Sequence, residues 1–395
     1  MGRGSTIHAD LRRHVRIEFN RSERSSLGVE MELALVDRDT GDLVSAGSDV
    51  LAVLGKGHPD GVHPKAKHEL FECTVEIITG ICTTVAEARA DLTATLAEVA
   101  QECQGRRLDL VCAGSHPFSR WRDQTVSPNP RYAKLVDDVQ WPAHRLQIFG
   151  VHFHVGVRSA EKSIAIANAL CAFLPHLLAL AASSPYWEGR DTGLASCRTK
   201  VFESLPTAGL PYRLTDWGDF EQFMETMVTA ETIRSIREVW WDIRPHPDFG
   251  TVELRMCDGI PTLSEVAALA ALAQSLVEWL DGQIDGGGSL PAPREWVVRE
   301  NKWRAARHGI DAELIVDAHG QKRPTRDWII ELVDALTPVA RKLGCDGELA
   351  GVETILDTGP SYQRQRRIVR HGGTLPDVVA GLAAELATDR PGATP

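Results

Sequence analysis

Two stretches of this chain repeat carboxylates on what period two makes a single face. In Gly28-Val29-Glu30-Met31-Glu32-Leu33 the apolar Val29, Met31 and Leu33 alternate with Glu30 and Glu32. A period of two is that of a β-strand, whose successive side chains point to opposite faces, so the pattern demands a sheet with one apolar and one acidic face. Two acids about 7 Å apart along one strand repel unless positive charge sits beside them. Residues 68–78, HELFECTVEII, repeat the theme, with Glu72, Thr74 and Glu76 on one face of a second expected strand. Four acids with no interleaved Lys or Arg do not suit a solvent-facing sheet, where signs are mixed. They suit a trough of oxygen ligands for Mg²⁺ or Mn²⁺.

A third expected strand supplies Gly150-Val151-His152-Phe153-His154, which puts His152 and His154 on one face with glycine neighbours that leave room close to the backbone. A fourth, within residues 240–258, puts Glu253 and Arg255 together, a metal-type ligand beside a permanent cation suited to phosphate oxygens. Neither a Walker A pattern nor Gly-x-Gly-x-x-Gly occurs, so phosphate binding falls to metals and arginines rather than to a glycine loop. Carboxylates, an imidazole and an arginine on one sheet face are the parts needed to hold a nucleoside triphosphate through metal ions.

The remaining sequence frames this site. The 395 residues, 43% hydrophobic and 25% charged, allow one large domain or two to three ordinary ones with a substantial core. A net charge of -11 argues against broad nucleic-acid binding. Eight scattered cysteines with no Cys-x-x-Cys point to buried thiols in a reducing cytoplasm rather than to disulfides or a zinc knuckle. Neither a secretory signal nor an apolar run of membrane-spanning length is read, so a soluble, cytoplasmic protein is expected. Period-two patterns predict strands at 27–37, 69–79, 108–113, 147–157 and 251–257. Helices are predicted at 84–104, 162–182, 219–225, 262–282 and 327–342, the second apolar on nearly all sides and so covered by other elements. The fold class is α+β, an antiparallel or mixed sheet backed by helices, with a candidate break at 281–293.

Together these residues resemble the carboxylate–amine ligases related to glutamate–cysteine ligase type 2, within the glutamine-synthetase superfamily. The matching motifs are GVEMELALVD at 28–37, HELFECTVEIITGIC at 68–82, GSHPF at 114–118, GVHFHVGV at 150–157, SSPYWEGRDTGLASCR at 183–198, WWDIRPHPDFGTVELRMCD at 240–258 and ENKWRAARHG at 300–309. The resemblance implies a glutamine-synthetase-like sheet funnel in a catalytic domain at 26–368, between an N-terminal extension at 1–25 and a C-terminal helix and flexible tail at 369–395. It implies Glu30, Glu32, Glu69, Glu76, His152 and Glu253 as metal ligands. Strict alternation opposes Glu69 to Glu76, so a bulge or strand start has to turn Glu69 inward. The resemblance further implies Arg255 at ATP phosphate or the phosphorylated intermediate and Arg198 at the substrate carboxylate or acyl phosphate. Asn301, Lys302 and Arg307, with His154, are expected at the nucleotide, although a basic helix face pairing with the acidic body would explain the first three as well. Glu72 is expected as a supporting group near the amine. The implied reaction is ATP-dependent amide formation through an acyl phosphate, from small carboxylate and amine substrates of amino-acid type. A guanidino-kinase-type phosphotransferase and a catalytically silent nucleotide- or metabolite-binding homologue are the alternatives. An exposed sheet edge would permit a homodimer by strand pairing.

Overall fold

The computed structural model describes residues 16–394. Seven strands form the main sheet: β1 (Leu27–Asp37), β2 (Ala66–His68), β3 (Thr74–Ile78), β4 (Leu108–Val111), β5 (Val151–Gly156), β6 (Ile243–His246) and β7 (Thr251–Leu254). Their order is β2-β3-β1-β5-β7-β6, with β4 also beside β1, and every ladder is antiparallel. The helices that matter below are α1 (Gly47–Leu54), α2 (Val85–Gly105), α3 (Ala160–Leu170), α4 (Leu174–Ala181), α5 (Arg198–Phe202), α6 (Trp217–Thr229), α7 (Leu263–Asp285), α8 (Glu295–His308), α9 (Thr325–Leu343), α10 (Asp346–Thr358), α11 (Ser361–Arg370) and α12 (Leu375–Thr388).

The alternation in β1 does what its period requires. Val29, Met31, Leu33 and Leu35 are at most 2% exposed and join Val75, Ile77, Val151, Phe153, Val155, Val252 and Leu254 in one core. That apolar face is covered by α2, α3 and α7. Each of these helices starts at a hydroxyl cap: Thr84 forms a capping box with Glu87, Ser159 accepts from the Lys162 amide, and Thr262 accepts from the Glu265 amide. Among the described residues α7 is the one unbroken helix long and apolar enough to cross a membrane, and most of it is buried inside the fold. It runs on to Asp285, so the expected break at 281 falls within its last turn.

Two expected elements differ. The strand predicted at 69–79 is a hairpin, in which β2 turns back on β3 with Lys67 opposite Glu76 and His68 opposite Val75. The intervening Leu70 and Phe71 are drawn off the sheet into a small apolar cluster with Tyr132, Leu135 and Val136. The helix predicted at 162–182 is two helices, α3 and α4, bent by 65°. Pro175 stands in the first turn of α4, where its missing N–H costs no helical hydrogen bond. Both halves line the core, as their all-round apolarity predicts.

The chain ends are built into the same body. The Ser25 hydroxyl donates to Glu278 at 2.5 Å and the Ile17 amide to Glu221 at 2.7 Å, while residues 1–15 of the expected N-terminal extension lie outside the described residues. At the other end α12 packs on β4 through Val378, Val379 and Leu382. The buried Arg364 guanidinium of α11 donates to Glu265 of α7 at 2.8 Å and to Glu385 of α12 at 2.9 Å, joining three helices through one group. Seven of the eight thiols are buried and all are free.

Candidate active site

On the face opposite the core, the strand register lines polar side chains up across the sheet. Glu32 stands opposite Glu76, Glu30 opposite His152, His154 opposite Glu253, and Arg244 opposite Glu253 from the far side. This band runs from β3 through β1 and β5 to β7 and β6. It gathers residues far apart in sequence through pairing alone.

Within the band the acids fall into two clusters, each with potential ligand atoms within 4.8 Å of one another: Glu30, His154 and Glu253, and Glu32, Glu69 and Glu76. In the first, His154 Nε2 lies 3.3 Å from Glu30 and 3.7 Å from Glu253. Arg244 grips the other oxygen of Glu253 through Nε at 2.8 Å and Nη2 at 2.6 Å, and Arg255 contacts Glu253 as well. Burial disfavours the charge on Glu253, but Arg244 and Arg255 outweigh it and hold this carboxyl far below the usual range. Burial opposes the charge on Glu30 too, and hydrogen bonds from His152 and His154 overcome it. For His154, burial is outweighed by the charge of Glu253 and the Glu30 contact, so its affinity for a proton rises.

The second cluster has no such compensation. Glu69 is pushed up to about 8 by burial and then by the charges of Glu32 and Glu30. Burial followed by Glu69, Glu30 and Glu32 pushes Glu76 well above the carboxylate range. A divalent cation fits this donor set, since hard oxygen ligands suit Mg²⁺ or Mn²⁺ and a bound cation removes the repulsion. Glu69 reaches the cluster because it sits in the β2–β3 turn, which frees it from the alternation that would oppose it to Glu76. His152 adjoins the first group. Its Nδ1 lies 3.0 Å from Glu30, its Nε2 has no partner among the described residues, and burial together with Arg255 lowers its proton affinity.

Arg198 at the start of α5 donates through Nη1 to the Arg255 carbonyl at 3.3 Å. Nε of Arg198 and Nε of Arg255 are buried without partners among the described residues. These unsatisfied donors beside the carboxylate clusters are ready to receive an anion. Gly150 makes the approach of Arg198 to β5 feasible, because a Cβ there would collide with the guanidinium and stand 3.2 Å from His152 Nε2. Arg198 is held from behind by Asp258, whose carboxylate accepts from the Ser184 hydroxyl at 2.7 Å, the Ser196 hydroxyl at 2.8 Å and the Ser183 amide at 2.9 Å. Ser184 Oγ in turn accepts from the Arg198 amide at 3.1 Å.

The structure gives the other expected site residues different partners. Glu72 receives the Ser48 amide at 3.0 Å and the Ser48 hydroxyl at 2.7 Å, capping the first turn of α1. Asn301 forms paired hydrogen bonds at 2.8 Å with the backbone of Ile315. Lys302 is buried between Asp242 at 2.5 Å and Glu203 at 2.6 Å, and Arg307 donates to the Gly193 carbonyl. These three α8 groups tie α8 to its surroundings rather than meeting the clusters. Arg244 and Asp258 are the residues that sequence reading passed over. The turn Pro247-Asp248-Phe249-Gly250 was the available signal for Arg244, since a hairpin there sets Arg244 opposite Glu253.

Known proteins are similar to this chain in sequence and in fold. Residues 26–381 match the model of glutamate–cysteine ligase family 2. A Frankia casuarinae protein provisionally named glutamate–cysteine ligase 2-1 is 55% identical over 95% of this chain and 99% of its own length. A Thermobifida fusca protein provisionally named glutamate–cysteine ligase 2 is 53% identical over 95% of this chain and 94% of its own. In fold, the chain is similar to the Francisella tularensis glutamate–cysteine ligase solved in complex with AMP, with a TM-score of 0.67 at 13% identity, covering 93% of this chain and 90% of that one. It is also similar to a bifunctional glutathione synthetase from Pasteurella multocida, with a TM-score of 0.63 at 16% identity, covering 92% of this chain and 52% of that one. On the breadth of the family match and the identity to full-length relatives, the chain belongs to glutamate–cysteine ligase family 2.

Proposed function

We propose that this protein is an ATP-dependent, ADP-forming carboxylate–amine ligase acting on small amino-acid-type substrates. The observation that carries the reading is the juxtaposition of two carboxylate clusters with buried, unsatisfied guanidinium groups on one sheet face. Family membership supports the ligase class, and the donor set supports a divalent cation.

Glu30, His154 and Glu253 would hold one Mg²⁺ or Mn²⁺, and Glu32, Glu69 and Glu76 another, with His152 adjoining the first. When bound, such ions neutralise charge on phosphate oxygens. The chain's own groups account for the rest. A carboxylate oxygen of the first substrate attacks the γ-phosphorus of ATP, the bond from that phosphorus to the bridging oxygen breaks, and ADP leaves. Arg255 faces the transferred phosphoryl oxygens, where a fixed cation stabilises spread negative charge without reorganising. Arg198 orients the carboxylate, and the Asp258 hydroxyl network keeps the start of α5 in place. The amine then attacks the acyl carbon, orthophosphate leaves with the bonding pair, and the nitrogen loses its proton. Activation is needed because a free carboxylate is a poor electrophile, and holding the two substrates in register makes the second step effectively intramolecular.

Purified protein incubated with ATP, Mg²⁺ and a panel of amino acids is expected to produce ADP and a new amide mass only when a carboxylate and an amine are both present. A stable phosphorylated substrate in place of an amide would overturn ligation.

A further inference from the structure

Phe249 is 54% exposed at the tip of the β6–β7 hairpin. A lone exposed aromatic needs no explanation, but this ring is held in a fixed pose beside the site. His246 lies flat against it, with ring centroids 4.2 Å apart and planes 10° from parallel. The His154 ring meets it edge-on at 5.6 Å. His246 is itself buried, with Nδ1 unpartnered among the described residues. Across the ladder His246 pairs with Thr251, whose hydroxyl lies 3.2 Å from His154 Nδ1. A continuous wall therefore leads from the hairpin tip to the Glu30, His154 and Glu253 cluster.

The tip does not swing freely. Gly250 takes φ +65° and packs so tightly that a Cβ would collide with the Asn20 carbonyl. The Asn20 side-chain Nδ2 donates to the Asp248 carbonyl at 2.8 Å, pinning the turn from the N-terminal side. One face of Phe249 is covered by His246, while the residue as a whole stays 54% exposed.

We infer that the open face of Phe249 is a stacking platform for the base of the nucleotide whose phosphates lie at the clusters. This rests on the ATP reading above and adds where the base sits. A flat aromatic face with an imidazole behind it favours a flat aromatic ligand in offset stacking. In a ligation of amino acids driven by ATP, the purine is the reactant that is aromatic by necessity. Stacking of this kind tolerates any base, because every base has a π-face.

Calorimetry with Mg²⁺·ATP and with Mg²⁺ and inorganic tripolyphosphate separates the base from the phosphates. The wild-type protein is expected to bind ATP more tightly than tripolyphosphate. Phe249→Ala weakens ATP about tenfold and leaves tripolyphosphate unchanged, and Phe249→Trp restores ATP binding. Unaltered ATP affinity in Phe249→Ala, or an equal loss of both ligands, overturns the platform while leaving the ATP reading standing. A wild-type protein that binds neither ligand ends the ATP reading and the platform with it.

Discussion

The two carboxylate clusters sit on the same sheet face and share the same residue types, yet they are balanced in opposite ways. Glu253 is locked between two guanidiniums and Glu30 is held by two imidazoles, so the first cluster is charge-compensated by the protein itself. Glu32, Glu69 and Glu76 face one another with no cation of the chain in contact among the described residues, and two of them are pushed toward their neutral forms. The first cluster is preassembled. The second is held together by the fold against its own repulsion.

Substitution at each cluster exposes that contrast. Glu253→Gln leaves Arg244 and Arg255 buried against a neutral amide, and removing one partner of a buried ion pair costs about 3–5 kcal/mol. Thermal or urea denaturation of this variant without added metal should show a loss of that size; an unchanged midpoint would mean that the arginines find other partners. Glu76→Gln does the reverse. Turnover falls on the order of a hundredfold, while metal-free stability rises because the fold no longer holds this carboxyl away from its ordinary ionisation. The sign follows from Glu69 and Glu76. Their folded-state affinity for protons exceeds that of an ordinary carboxyl, so the unfolded chain ionises first as pH rises. Stability without metal therefore declines from about pH 4.5, the ordinary glutamate value, to about 8, the Glu69 value. Wild-type protein should show this decline and Glu76→Gln a flatter one, so parallel pH profiles would refute the uncompensated cluster. The smallest effect belongs to Glu72→Gln, which weakens the cap on α1 by about 1 kcal/mol and leaves turnover within about twofold, a loss too small for a group in the reaction. A large drop in its rate with intact stability would return Glu72 to the chemistry.

How much of this was legible follows from what a periodic pattern encodes. β1 lies where alternation puts it, residues 27–37, and its two glutamates fall on the site face because their neighbours have to be buried. Alternation also places His152 and His154 on one face, but which imidazole meets Glu253 depends on the β5–β7 register, a tertiary fact, and the structure selects His154. Glu69 and Glu72 escaped the pattern for one reason: both lie in a turn, where period two no longer applies. The α8 residues Asn301, Lys302 and Arg307 were expected from the resemblance of the motif at 300–309, which carries no information about what folds against it. Their buried or backbone partners come from Asp242, Glu203, Ile315 and Gly193, which only the tertiary fold brings to α8.

The three-helix junction at Arg364 adds a constraint in time. Synthesis runs from the N-terminus, so Glu265 emerges about a hundred residues before the guanidinium that will neutralise it, and Glu385 follows 21 residues after that guanidinium. Until then a junction meant for the interior lacks part of its charge balance, at a cost that favours waiting in solvent. The charge balance behind the sheet is therefore complete only once all three of these groups have been made and brought together.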